Sequence, residues 1–304
     1  MNLPNAGPRR DTAVTPRSPR QPRSPKATRS RGWLRVSRLV AAMFLGLLIV
    51  AALFPALLTS ADPLATDAAN VLASPKPTDW FGPQWFGTDQ SGRSVYARVI
   101  YGAGPSILVG VRAVGIALVV GALLGTLAAL APRWADRIIS RAIEVLMAFP
   151  EFLIALLVVA ILGKGGFAVA LGVTISIIPA YMRLARVTAA QLRVAGPLES
   201  AQLAGIGPWR GAVSHVVPGV FASLVSLAIV GFGSAIVSAA GLSFLGLGVP
   251  PPAPEWGLIM SEGKNQLHNA WWITFFPGLA LSATVVAITT VARPLQRRLE
   301  EGNR

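Results

Sequence analysis

A chain of 304 residues that is 53% hydrophobic and only 13% charged is too apolar for an ordinary soluble domain. It has no cysteine, which excludes a disulfide framework and any cysteine-based metal or nucleophilic site. A formal charge of +14 raises nucleic-acid binding, but the basic residues gather in the N-terminal tail and just beyond apolar runs, so membrane topology accounts for them and no nucleic-acid partner is expected.

Residues 1–38 are rich in Pro, Ser and Arg and poor in bulky apolar side chains. Such a stretch cannot bury enough surface to offset its ordering entropy, so a disordered basic cytoplasmic tail is expected. Arg29, Arg31, Arg35 and Arg38 would then lie near anionic headgroups. No signal-peptide cleavage site is evident after the first apolar run, where Pro55 interrupts the end. Six apolar runs follow, near residues 39–58, 106–131, 142–162, 167–182, 216–240 and 275–291. They lack the alternation of a barrel, and only helices otherwise satisfy the backbone in lipid. The expected fold is an all-α membrane protein with six transmembrane helices, forming one domain from 39 to 304. Gly115, Gly121 and Gly125 in the second run suit a close helix–helix approach.

Arginine placement sets the orientation. With the tail inside, the inner segments carry Arg133, Arg137 and Arg141, then Arg183, Arg186, Arg193 and Arg210, then Arg293, Arg297, Arg298 and Arg304. The outer ones keep only Lys76, Arg93, Arg98, Lys164 and Lys264, with Arg112 near an outer helix end. The positive-inside rule therefore puts both termini in the cytoplasm. Residues 61–105 and 241–274 become outer segments, and 183–215 a cytoplasmic loop.

Charges inside apolar runs are costly, about 2.5–3.5 kcal/mol at a helix centre on insertion scales. Glu151 is the main case: a third helix entering lipid at Ala142 would bury it roughly 14 Å deep at about 1.5 Å per residue. It serves either as a structural partner for Arg or backbone donors, or as cavity polarity or a contact for a substrate amine, with Pro150 loosening the helix beside it. Glu144 is expected at the inner interface near Arg141 or the cytoplasmic loop, and Asp89 and Arg93 as a local pair or an exposed contact. His215 and His268 fall on opposite sides of the membrane, and HExxH, GxSxG and Walker-type GxxxxGK[ST] motifs are absent. No catalytic, metal or cofactor site is expected in this chain.

The loop from Glu199 to Pro218 is polar and small between two apolar runs. Leu203, Ile206 and Trp209 fall three apart and can form one stripe. It is either an amphipathic surface loop turned by Gly205, Gly207 and Pro208, or two short helices exposing a knob at that bend. Trp209 and Arg210 are residue types that dominate interfaces.

Glu199, Ala201, Gly205, His215 and Pro218 resemble the coupling loop of type I ABC importer permeases, with Ser200 in place of the usual alanine. Residues 86–103 (FGTDQSGRSVYARVIYGA) and 242–257 (LSFLGLGVPPPAPEWG), with Phe276-Pro277-Gly278, resemble the C-type permease of dipeptide and oligopeptide importers, whose nickel paralogues share much of them. The resemblance spans residue 80 to the C-terminus. It implies the type I ABC importer permease fold in a bacterial inner membrane, with Glu199, Ala201, Leu203, Gly205, Ile206, Gly207, Trp209, Arg210 and His215 coupling to the ATPase. It also implies a homologous second permease, two ABC ATPase subunits that hold ATP and Mg, and an extracytoplasmic substrate-binding protein, all working in membrane lipid. Candidates for the path or outer gate are Glu151, Phe244, Leu245, Pro252, Glu255 and Trp256. Pro250–Pro252 are read as stopping the fifth helix, and Trp256, Trp271 and Trp272 as membrane-interface residues. The expected cargo is peptide. Nickel or haem import, a secondary transporter and a membrane scaffold are the alternatives.

Overall fold

The computed structural model describes residues 30–194, 207–211, 214 and 216–301. Its helices are α1 (Ser30–Leu53), α2 (Val95–Leu130), α3 (Arg133–Met147), α4 (Glu151–Leu162), α5 (Gly166–Val194), α6 (Val217–Phe244), α7 (Trp256–Gly263) and α8 (Trp272–Glu301), with a single helical turn at Pro208–Gly211 before α6. Five are long and apolar enough to cross a membrane, and the bent α3–α4 pair makes up to a sixth. Six apolar runs therefore become six potential spans, but their lengths differ from the sequence expectation. Helix α1 starts at Ser30 rather than near 39, inside the stretch expected to be disordered; residues 1–29 lie outside the described ones.

Helix α2 contains 36 residues, about 54 Å at 1.5 Å per residue, against a hydrocarbon core of about 30 Å. It starts eleven residues before the apolar run because Ser94 caps it, accepting from the Ala97 N–H at 3.2 Å. Its first turns thus stand outside the apolar zone, where Val95, Ala97 and Arg98 are fully buried against other protein segments.

The third run departs most from expectation. It is two helices meeting at 91° across Ala148–Pro150. Pro150 precedes the first residue of α4 and contributes no N–H, so the helix ends there instead of merely loosening. Before the break, α3 carries Arg133, Arg137 and Arg141 on one side and exposes Trp134, Ile138 and Val145. That composition suits a helix lying in the interface plane. Its Asp136 forms a two-pronged ion pair with Arg186 of α5, at 2.5 and 2.9 Å.

Two apolar cores hold the bundle. One joins α2, α4, α5 and α6 around Ala117, Val173, Tyr181 and Leu224. The other joins α1, the start of α2, α7 and the start of α8 around Val95, Trp256, Ile259 and Ile273. Between α2 and α5 the backbones nearly touch. A Cβ on Gly125 would sit 2.6 Å from the Ala185 Cβ and closer still to the Met182 carbonyl oxygen, and one on Gly121 would strike Tyr181. Gly115, grouped with them by sequence, has open space around it.

Candidate functional site

The segment between α1 and α2, expected on the outer side, is a chain of tight turns that aims charged groups inward. Asp89 is the pivot, with no exposed side-chain area. Its carboxylate accepts from the backbone N–H of Ser91 at 2.8 Å and of Arg93 at 3.0 Å, which closes a turn. Gly92 completes that turn at φ +74, in the left-handed region that favours glycine.

The same carboxylate takes Arg93 Nε at 2.7 Å and Arg98 Nη1 at 2.6 Å. From the far side Glu262 of α7 meets Arg98 Nη2 at 2.6 Å and Arg93 Nη2 at 3.4 Å. The Arg98–Glu262 contact is close but not aligned as a hydrogen bond, and Arg98 Nε has no partner among the described residues. Two carboxylates and two guanidiniums thus form a neutral, buried ring. Asp89 and Arg93, expected as a local or exposed pair, are half of it. Arg98 and Glu262 complete it; no spacing in the sequence links Glu262 to residues some 170 positions earlier.

Glu255 and Trp256, expected at an outer gate, are both held in the packing at the start of α7. Glu255 is its N-cap, accepting from the Gly257 and Leu258 N–H groups at 3.0 Å each. Burial pushes its carboxyl up, and those two N–H groups with the Ser243 hydroxyl oppose the shift. Trp256 is 1% exposed and donates Nε1–H to the Val99 carbonyl at 2.9 Å, with its indole over Gly102. Trp272 is likewise buried and donates to the Thr88 carbonyl at 3.0 Å. Of the three tryptophans assigned to the membrane interface, Trp271 alone is exposed. Phe244 is half-buried, and Leu245 and Pro252 are exposed. The fifth helix ends at Phe244, before Pro250–Pro252; Gly246 at φ +80 makes the turn.

Glu151 is the first residue of α4 and is exposed in the isolated chain. The 14 Å depth expected for a straight helix does not apply, because the run bends just before it. Glu144 pairs with Arg141 at 2.9 Å on the exposed face of α3, as expected.

In the loop expected on the cytoplasmic side, Glu199, Ala201, Leu203, Gly205, Ile206 and His215 lie outside the described residues, as does the Trp209 side chain. Gly207 and Arg210 are exposed, and the Pro208–Gly211 turn closes with the Gly211 N–H donating to the Gly207 carbonyl at 3.0 Å. Helix α6 begins six residues after that turn. No group of three or more His, Cys, Asp or Glu suited to a metal occurs among the described residues.

Residues 121–304 match the family described as binding-protein-dependent transport system inner membrane component. The chain is 36% identical over 252 residues to a dipeptide transport system permease protein of Alkalihalophilus pseudofirmus, covering 83% of this chain and 81% of that one. It is 35% identical to a di/tripeptide transport system permease protein of Pseudomonas aeruginosa, over 85% of this chain and 86% of that one. It is 36% identical to a glutathione transport system permease protein of Escherichia coli O6:K15:H31, over 88% of each.

Proposed function

Because the chain belongs to the family of binding-protein-dependent transport system inner membrane components, we propose that its cargo is short peptides and that it works beside a homologous permease, two ATPase subunits and an extracytoplasmic binding protein. The chain is a multi-pass permease subunit of an ABC importer in a bacterial inner membrane, and not itself an enzyme. The observation that carries the peptide reading is identity over more than four-fifths of the chain to permeases named for dipeptides, di/tripeptides and glutathione. Glutathione is itself a tripeptide, so these names share one cargo class. None of the three relatives described above is named for nickel or haem.

Both termini lie in the cytoplasm, on the arginine asymmetry. ATP and Mg bind on the partner subunits, since no phosphate-binding loop occurs here. The partner ATPase docks on Glu199–Arg210, and its closure on nucleotide moves that element. The motion enters the bundle through α6, which begins six residues beyond Gly211, and the bundle alternates between inward- and outward-facing states. Glu151, exposed at the start of α4 in the isolated chain, faces the path or the sister permease. The broken α3–α4 pair is a device that secondary transporters also use, but family membership favours ATP coupling.

The test is uptake of labelled alanyl-alanine by the assembled complex in proteoliposomes with its binding protein. ATP-dependent uptake that unlabelled di- and tripeptides suppress, and nickel or haem does not, is expected. Uptake of nickel or haem with no peptide uptake would overturn the cargo assignment.

A further inference from the structure

A second polar feature lies on the outer side. A cavity of about 490 Å³ opens between the α4–α5 turn and the α6–α7 connection, lined by Lys164, Gly248, Pro250, Ser261, Glu262 and Lys264 among others. Its walls are tied together. The Gly165 N–H donates to the Leu247 carbonyl at 3.0 Å across the mouth, and Gly166 has no room for a Cβ against Val249. The Lys264 ammonium stands 5.8 Å over the Phe244 ring, a weak cation–π contact that leaves its charge unpaired.

The charge balance of this cavity is uneven. Glu262 is its one acidic lining residue, and that carboxylate is already matched by Arg93 and Arg98 in the buried ring. Lys164 and Lys264 have no ion pair among the described residues. The cavity thus presents two unmatched cations and no free anion. Its volume falls within the range of about 300–1,000 Å³ that small ligands occupy. A flat docking face for a protein needs no such depth. Val249, Pro250, Pro251 and Leu258 give the cavity an apolar wall that suits the body of a short peptide, while Lys164, Lys264 and Ser261 supply its polar groups.

We propose that this cavity receives the terminal carboxylate of a short peptide, held by Lys164 and Lys264, as the cargo enters from the outer side. The proposal rests on the peptide-import reading. Both lysines are exposed, so replacing them should leave the fold intact.

The test uses the assembled complex in lipid nanodiscs without its binding protein, probed with alanyl-alanine and with its C-terminal amide by saturation-transfer NMR. The native complex should bind the free acid on the order of tenfold more tightly than the amide, as two partly exposed charge contacts allow. Lys164→Gln with Lys264→Gln should bring the acid down to the amide's level. Equal binding of acid and amide by the native complex, or no change in the double variant, would overturn the proposal. A double variant that loses affinity for the binding protein while keeping the acid preference would overturn it too, and would make the lysines a protein-docking face. A native complex that imports alanyl-alanine but shows no acid preference fails this proposal alone; one that imports no peptide fails the cargo reading.

Discussion

Arg98→Met should destabilise the protein by about 3–5 kcal/mol, the usual cost of leaving a buried charge without its partner. The variant leaves Asp89 and Glu262 facing each other's field with only Arg93 between them, at a site where neither Arg98 nor Asp89 has any exposed side-chain area. Glu262→Leu should also destabilise, now by stranding a guanidinium. The double variant is the informative one. It leaves Asp89 and Arg93 paired at 2.7 Å with balanced charge, so its loss should be clearly smaller than the sum of the two single losses. Thermal melts of the purified complex measure all three. Additive losses would mean that the four groups do not act as one ring. The ring's structural consequence is specific: it is the ionic tie between the segment before α2 and α7, and α7 forms one wall of the outer cavity.

Gly125→Leu should be comparably damaging. Overpacking a core typically costs about 1–3 kcal/mol when neighbours can shift. Here the obstacle is the backbone of α5 at Met182 and Arg186, so the upper end or beyond is expected. The natural control is Gly115→Leu on the same helix, where a Cβ meets nothing within 4 Å. The yield and melting temperature of folded complex should fall sharply for the first and stay near native for the second. Similar behaviour of the two would contradict the close α2–α5 approach.

The sequence made the spans legible because an apolar run in lipid has few alternatives to a helix. It left their ends illegible where helix continues beyond the apolar zone: α2 is extended by a serine cap and α5 continues to Val194, neither of which hydropathy registers. The 91° break went unseen for a related reason. Hydrophobicity is blind to direction, and apart from Glu144 and Glu151 the residues flanking Ala148–Pro150 are apolar, so the run reads as continuous. The spacing of Arg133, Arg137 and Arg141 was the available sign of a separate surface helix.

Local chemistry was readable and distant chemistry was not. Asp89 and Arg93 stand four apart and announce a pair, whereas Glu262 joins them only through the fold. Glu255 and Trp256 stood out as polar and aromatic residues in an outer segment. The cap made by Glu255 is local to α7, but the burial of Trp256 depends on Ser106 and the Val99 carbonyl of α2. The proposed coupling loop rests on its motif alone, since most of its residues lie outside the described ones.

The central claim is that Glu199–Arg210 transmits ATP-driven motion into this permease. Peptide-stimulated ATPase activity of the assembled complex in lipid tests it most directly, comparing native protein with Glu199→Ala and Gly205→Trp. Coupling through the loop predicts that stimulation and transport are lost in Gly205→Trp and reduced in Glu199→Ala, with the subunit still folded in the membrane. Native stimulation in both variants would contradict it.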